Sequence, residues 1–187
     1  MINRELYMEQ ITPFIDKPFV KVITGIRRCG KSVVLRLIRE ELLRRGVSED
    51  YIIYMNFESF EWIDMKEAKA LYAHIREATK APGKYYILLD EIQEVTDWEK
   101  AVNAFLVDLD VDIYVTGSNS RLLSSEFSTY LAGRYVAFHI MTLSFREYLL
   151  FHDLPLTISV SDRKTEFLKY LRMGGFPAIH TANYDYN

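Results

Sequence analysis

A chain of 187 residues, 49% of them apolar, has the length and the hydrophobic content for one domain of ordinary size with a small appendage. Its formal net charge of −3 provides no basic field to draw nucleic acid or an anionic membrane, and a lone cysteine, Cys29, excludes an internal disulfide. No run approaches the length of a membrane span, and the opening Met-Ile-Asn-Arg-Glu-Leu-Tyr lacks the basic-then-apolar form of a secretory leader, so a reducing, cytoplasmic setting is expected.

A short helix is expected over about residues 4–11, followed by a strand over 19–24, where Phe19-Val-Lys-Val-Ile-Thr24 is rich in β-branched residues. That strand runs into Gly25-Ile-Arg-Arg-Cys-Gly-Lys-Ser32, which has the spacing G-x-x-x-x-G-K-[S/T]. A helix over 31–45 comes next. It carries Val34, Leu35, Ile38 and Leu42 on one face, Glu40–Arg44 and Glu41–Arg45 spaced for ion pairs, and Gly46 as its stop. A second strand is expected over 51–57, with Asn56 as a polar residue on an otherwise apolar run. Asn56 needs partners, and either Glu91 or neighbouring backbone can supply them. Leu71, Ile75 and Ala78 mark a helix. A strand over 85–90 then ends in two adjacent carboxylates, Asp90 and Glu91. Trp98, Val102, Phe105 and Leu109 mark a third connecting helix, with Thr96 and Glu99 spaced as a capping box. A strand over 111–116 leads into Gly117-Ser-Asn-Ser120. Leu123, Phe127 and Leu131 mark a helix ending at Gly133, and a fifth strand covers 136–143.

Strands alternating with helices predict an α/β fold, a parallel sheet of five strands covered on both faces with right-handed connections. From Ser144 the texture changes. Ser144 and Glu147 form a capping box for a helix to about Phe151, a second helix is expected over 162–173, and Gly174-Gly-Phe-Pro177 breaks it. The last forty or so residues read as the beginning of a second helical module.

The Gly25–Ser32 spacing is a chemical device. Its glycines let successive N–H groups turn toward an anion, and the following helix adds the positive end of its dipole. Lys31 would reach the β- and γ-phosphates of a nucleoside triphosphate, and the Ser32 hydroxyl would ligate Mg²⁺. Gly25, Ile26, Arg27, Arg28, Cys29, Gly30, Lys31, Ser32 and Val33 are thus the expected nucleotide contacts, with the Arg27 and Arg28 side chains expected to point outward. Cys29, beside Lys31 and a helix N-terminus, is expected to have a lowered pKa and to be alkylated unless nucleotide covers it. A strand placed beside the loop strand would bring Asp90 to hold Mg²⁺ and Glu91 to deprotonate the attacking water. Glu91 must then sit where strand gives way to loop, with Gln93 as a polar neighbour. Ser118 and Asn119 are candidates to position that water or to bond the γ-phosphate, and they are equally ordinary turn residues.

With these pieces in this order the chain resembles the AAA+ branch of phosphate-loop ATPases, and more narrowly a large, poorly characterised group of prokaryotic ATP-binding proteins. The stretches that carry the likeness are 22–32, 88–93, 116–120, 131–134, 143–148 and 174–177. The resemblance implies a three-layer core over 1–143 and an incomplete helical lid over 144–187, the start of a long C-terminal region. It implies ATP rather than GTP, in line with the absence of a guanine-reading Asn-Lys-x-Asp segment. It also implies a role for Arg134 as an arginine finger in a neighbouring copy, against which stands a local pairing with a carboxylate. The expected function is an Mg²⁺-dependent ATPase coupling hydrolysis to conformational change. The alternatives are a nucleotide-dependent switch or scaffold with negligible turnover, or a phosphate-loop kinase. The expected partners are ATP, a protein or the remaining C-terminal region, and further copies of the chain in a homo-oligomer.

Overall fold

The computed structural model describes residues 4–118, 122 and 130–181. The elements run α1 (Glu5–Ile11), β1 (Val20–Gly25), α2 (Lys31–Arg44), β2 (Ile52–Asn56), α3 (Ala68–Ala78), β3 (Tyr85–Asp90), α4 (Trp98–Asp108), β4 (Val111–Gly117) and β5 (Tyr135–Ile140). Three helices follow, α5 (Phe145–Phe151), α6 (Val160–Met173) and α7 (Pro177–Thr181).

The five strands form one parallel sheet in the order β2-β3-β4-β1-β5. This corrects one expectation. The carboxylate strand β3 does not lie beside the loop strand β1, because β4 is inserted between them, with Ile23 level with Thr116 and Leu89 level with Val115.

Alternation along the strands sorts side chains to the two faces. Val20 and Val22 of β1 join Ile87, Leu89, Ile113 and Val115 in a core closed by Leu71 and Ile75 of α3 and by Trp98, Val102 and Phe105 of α4. Ile23, Leu88 and Phe138 face the other way, against Tyr7 and Ile11 of α1 and Val34, Leu35, Ile38 and Leu42 of α2. The apolar stripe of α2 is buried as its spacing predicts. Truncating one such residue, Leu42, to alanine would cost about 2–5 kcal/mol. On its outer face Arg44 turns to Glu41 rather than to Glu40, and Glu41 also holds Arg45.

Local signals differ in how well they hold. Ser144 and Glu147 form the expected capping box of α5, and Gly174, at φ 76°, ends α6. The capping box expected from Thr96 and Glu99 does not form. Asp97, at φ 57°, occupies the N-cap of α4, while the Thr96 carbonyl accepts from Ala68 N (3.1 Å) and its N–H donates to Lys66 O (2.9 Å). Tertiary pairing of Thr96 with the start of α3 therefore overrides the local cap. β5 ends at Ile140, short of the expected residue 143, because the Met141 N–H donates to Tyr7 Oη (3.0 Å) and its carbonyl accepts from Arg4 (2.8 Å) instead of pairing with a strand. Leu123, Phe127 and Asn119 lie outside the described residues. Leu131 is buried in the core, and Gly133 takes φ 72°.

No helix among the described residues is long and apolar enough to cross a membrane.

Candidate functional site

The strands of a parallel sheet aim their C-terminal ends at one edge, and here that edge holds the loop between β1 and α2. Its backbone requires glycine in two places. Gly25, at φ 155°, packs so closely under β5 that a Cβ would overlap Ile140 O and lie 2.7 Å from Cys29 Sγ. Gly30, at φ 107° and ψ 22°, forms the N-cap of α2 in the left-handed region. It offers no side-chain cap and the first turn of α2 carries no acid, so the leading N–H groups and the helix dipole are left for an anion. Arg28, at φ 64°, turns the loop between them.

Lys31 lies along this loop, its side chain 3% exposed. Nζ donates to Gly25 O and Ile26 O, both at 3.4 Å, and stands 3.3 Å from Glu91 Oε1. The lysine of the loop and the acid at the end of β3 therefore meet across the end of β4. Glu91 takes φ 54° and ψ 48°, a conformation that costs a non-glycine residue about 1–3 kcal/mol. This turn, just past the strand, brings Glu91 to Lys31 while Asp90 stays in the strand register. Gln93 Nε2 donates to the other oxygen of Glu91, as expected of a polar neighbour. Its Oε1 is buried without a hydrogen-bond partner among the described residues, pressed against Gly117, where a Cβ would overlap it.

Asp90 is fully buried. Tyr54 Oη donates to Oδ2 (3.0 Å), and Thr116 Oγ1 donates to Oδ1 while accepting from Glu91 N (2.9 Å). Burial, then the Asp90 charge, pushes the Tyr54 phenol well above its ordinary range, which keeps it a donor. No group of three or more His, Cys, Asp or Glu that could hold a metal ion occurs among the described residues. A divalent cation here would therefore rely on Ser32, Asp90 and ligands brought by a polyphosphate, the usual composition of a Mg²⁺–nucleotide site. The donor set fits that ion.

A cavity of about 700 Å³ opens beside the loop. Arg4, Lys31, Ser32 and Glu91 line it together with the apolar Leu143, Phe151, Pro177 and Ala178. Residues 17–149 match the AAA domain family. The chain belongs to that family. An uncharacterized protein of Haemophilus influenzae is 43% identical over 98% of this chain and 46% of its own length. Another, from Methanocaldococcus jannaschii, is 35% identical over 96% of this chain and 39% of its own. The chain thus spans less than half the length of these relatives. Among solved structures, AMPPCP-bound DnaA from Aquifex aeolicus superposes with a TM-score of 0.60 at 15% identity, over 97% of this chain and 60% of that one. Thermotoga maritima RuvB superposes at 0.59 and 13%, over 96% and 59%. At such identities the likeness shows the fold, that of an AAA+ phosphate-loop domain.

The remaining sequence candidates of this AAA domain divide. Arg27 points outward as expected, its side chain 79% exposed and 3.3 Å from Glu58. Ile26 is half exposed, whereas Cys29 is fully buried. Burial pushes the Cys29 thiol up, against the smaller opposing effects of Lys31 and Arg4, so the expected lowered pKa is wrong. Cys29 Sγ packs in the core, where lost solvation outweighs the neighbouring charges and backbone N–H groups. Asn56 Oδ1 accepts from Glu58 N (3.0 Å), so of its two readings the backbone partner holds. Ser118 is half-buried, its carbonyl bonded by Leu122 N (3.0 Å).

Arg134 lies at the opposite edge of the sheet. Its carbonyl accepts from Val20 N (2.8 Å) at the start of β1, and among the described residues its guanidinium donates to the Asn103 amide oxygen Oδ1 (3.1 Å). It takes no part in its own chain's loop site. Two further residues carry the site without standing out in the sequence. Tyr54 sits in an apolar strand, and Arg4 precedes everything recognisable as a motif.

Proposed function

We propose that this AAA domain binds ATP with Mg²⁺ and hydrolyses it, the turnover driving a conformational change. The observation that carries this reading is the 3.3 Å approach of Glu91 to Lys31 at the mouth of the cavity, with Asp90 buried behind them. The Lys31 ammonium is held loosely and can exchange carbonyl and carboxylate partners for phosphate oxygens, which frees Glu91. Glu91 then orients a water and takes its proton as the water oxygen bonds to the γ-phosphorus and the β–γ bridging oxygen leaves with ADP. Mg²⁺, when bound with the nucleotide, neutralises developing charge. Gln93 and the Thr116–Glu91 backbone bond keep the carboxylate aimed. The apolar side chains lining the cavity suit a nucleobase, and the DnaA neighbour carries AMPPCP. Arg134 acts, on this reading, only on the nucleotide of an adjoining copy in a homo-oligomer.

Phosphate release at saturating ATP tests the proposal. Glu91→Gln should retain ATP binding and slow turnover about a hundredfold or more. Normal turnover in that variant would overturn the role of Glu91.

A specific observation favours the second reading, a nucleotide-dependent switch. Both Glu91 oxygens are engaged, by Lys31 and by Gln93, which leaves fewer of the carboxylate's lone pairs open to a water. Tight ATP binding with no phosphate release would establish the switch instead.

A further inference from the structure

We propose that Arg4 is the positioning residue that ties the phosphate loop to the helical segment beyond β5, so that each sets the geometry of the other. The inference rests on the nucleotide-binding reading above and adds to it a means of regulation.

Arg4 is 2% exposed, although it precedes the first helix. Its guanidinium spends its donors on three separate parts of the fold. Nη1 donates to the carbonyl of Cys29 in the loop (3.0 Å), Nη2 to the carbonyl of Met141 just past β5 (2.8 Å), and Nε to Glu147 Oε1 on α5 (2.6 Å). A planar fork with its donors on three separate nitrogens reaches three such spread acceptors, where an ammonium would have to serve them all from one atom. Tyr7 supports the fork from below, its ring 4.7 Å from the guanidinium carbon, and its hydroxyl accepts from Met141 N.

The acceptors are not interchangeable anchors. The Cys29 carbonyl belongs to the loop itself, and the next residue, Gly30, is the left-handed N-cap of α2, where a Cβ would stand 3.1 Å from Arg4 Nη1. Glu147 uses its second oxygen to accept from Ser144 N (2.8 Å) and Ser144 Oγ (2.9 Å), which fixes the start of α5. One carboxylate thus caps a helix and holds the arginine that holds the loop. Phe151 of α5, and Pro177 and Ala178 of α7, line the same cavity. Any displacement of α5 relative to the loop must stretch a buried charged bond, and a loop reshaped by phosphate must pull on α5. Reciprocity of linkage makes the two effects equal in free energy.

The test combines calorimetry of Mg²⁺–ATP binding with amide exchange across residues 26–31, on Arg4→Ala, Arg4→Lys, Glu147→Gln and the Arg4→Lys/Glu147→Gln double variant. Arg4→Ala should weaken ATP about tenfold or more, the range of a lost buried hydrogen bond to a charged group. Glu147→Gln should act in the same direction, less strongly. Arg4→Lys should fail to restore affinity, and the double variant should be no worse than the weaker binder of its two singles. Loop amides should exchange faster in Glu147→Gln, although residue 147 is on another element. If Arg4→Ala does not fold, the lysine and glutamine variants carry the test. Unchanged affinity and unchanged loop exchange, with only a lower thermal midpoint, would overturn the tie, as would additive losses in the double variant. A wild-type chain that binds no ATP would sink the nucleotide reading by itself. Loop exchange in Glu147→Gln would still decide whether the tie exists.

Discussion

Lys21 of β1 and Lys31 at the start of α2 are both buried and both paired with a carboxylate, yet the fold treats them oppositely. Lys21, its side chain 0% exposed, pairs with Asp112, donates to Lys17 O (2.8 Å) and lies 5.2 Å from the centre of the Tyr114 ring. Asp112 is satisfied in turn by Tyr114 Oη and Asp16 N, both at 2.8 Å. Burial pushes the Lys21 amine below its ordinary range, and Asp112 pulls it part of the way back. Lys31 has only contacts of 3.3–3.4 Å and stands at an opening. A structural lysine has its donors taken at short range by partners that are themselves saturated. On the nucleotide-binding reading, Lys31 is held just firmly enough to be let go.

The contrast can be broken most directly at its two poles. Lys31→Ala should cost at least about a hundredfold in ATP affinity, the loss expected for a charge-assisted phosphate contact, while leaving the denaturant midpoint nearly unchanged. Lys21→Met should do the reverse. Stranding Asp112 should remove about 3–5 kcal/mol of unfolding free energy, with ATP affinity per folded molecule intact. If Lys21→Met abolished binding with little loss of stability, the division of labour would be wrong. A smaller effect concerns Cys29. Its burial and raised pKa predict alkylation far slower than in urea-unfolded chain, with ATP making little further difference. Strong protection by ATP would show that the loop opens in its absence.

The smallest effect sharpens the same idea in the helical segment. His180 Nε2 donates to Gly174 O (2.8 Å), so its Nδ1 accepts from His152 Nε2 (3.1 Å), and the two rings stand against each other. Burial, then the neighbouring His180, pushes His152 below 6.5. The unfolded chain therefore binds this proton more readily than the folded one, and stability should fall as pH drops below about 6.5. His152→Asn should flatten that slope between neutral and mildly acid pH in thermal melts.

The loop, the Asp90–Glu91 strand end and the alternation of strands and helices were legible because each is a local pattern tied to a local backbone need, such as the left-handed N-cap at Gly30. Strand order was not. Nothing in Tyr85–Asp90 or Val111–Gly117 announces which would pair with β1, since both are buried apolar runs. Long-range polar partners were equally silent. Thr116 reaches Asp90 and Tyr54 reaches it from the other side, but a threonine and a tyrosine in strands read first as β-formers. Arg4 carried no signal because its three acceptors include two backbone carbonyls, which have no residue identity to read. Cys29 misled because the pull of Lys31 and the nearby backbone N–H groups is outweighed by a burial that local sequence does not announce.

Gly117 sits at the end of the strand that separates the two halves of the site, and no left-handed backbone explains it. What it contributes is a missing atom. A methyl there would collide with the Gln93 amide oxygen and with Leu122, driving the amide away from Glu91 and leaving that carboxylate to swing. The aim of an acid at the rim is in this sense governed by emptiness in the floor, at a position that touches no phosphate and carries no functional group.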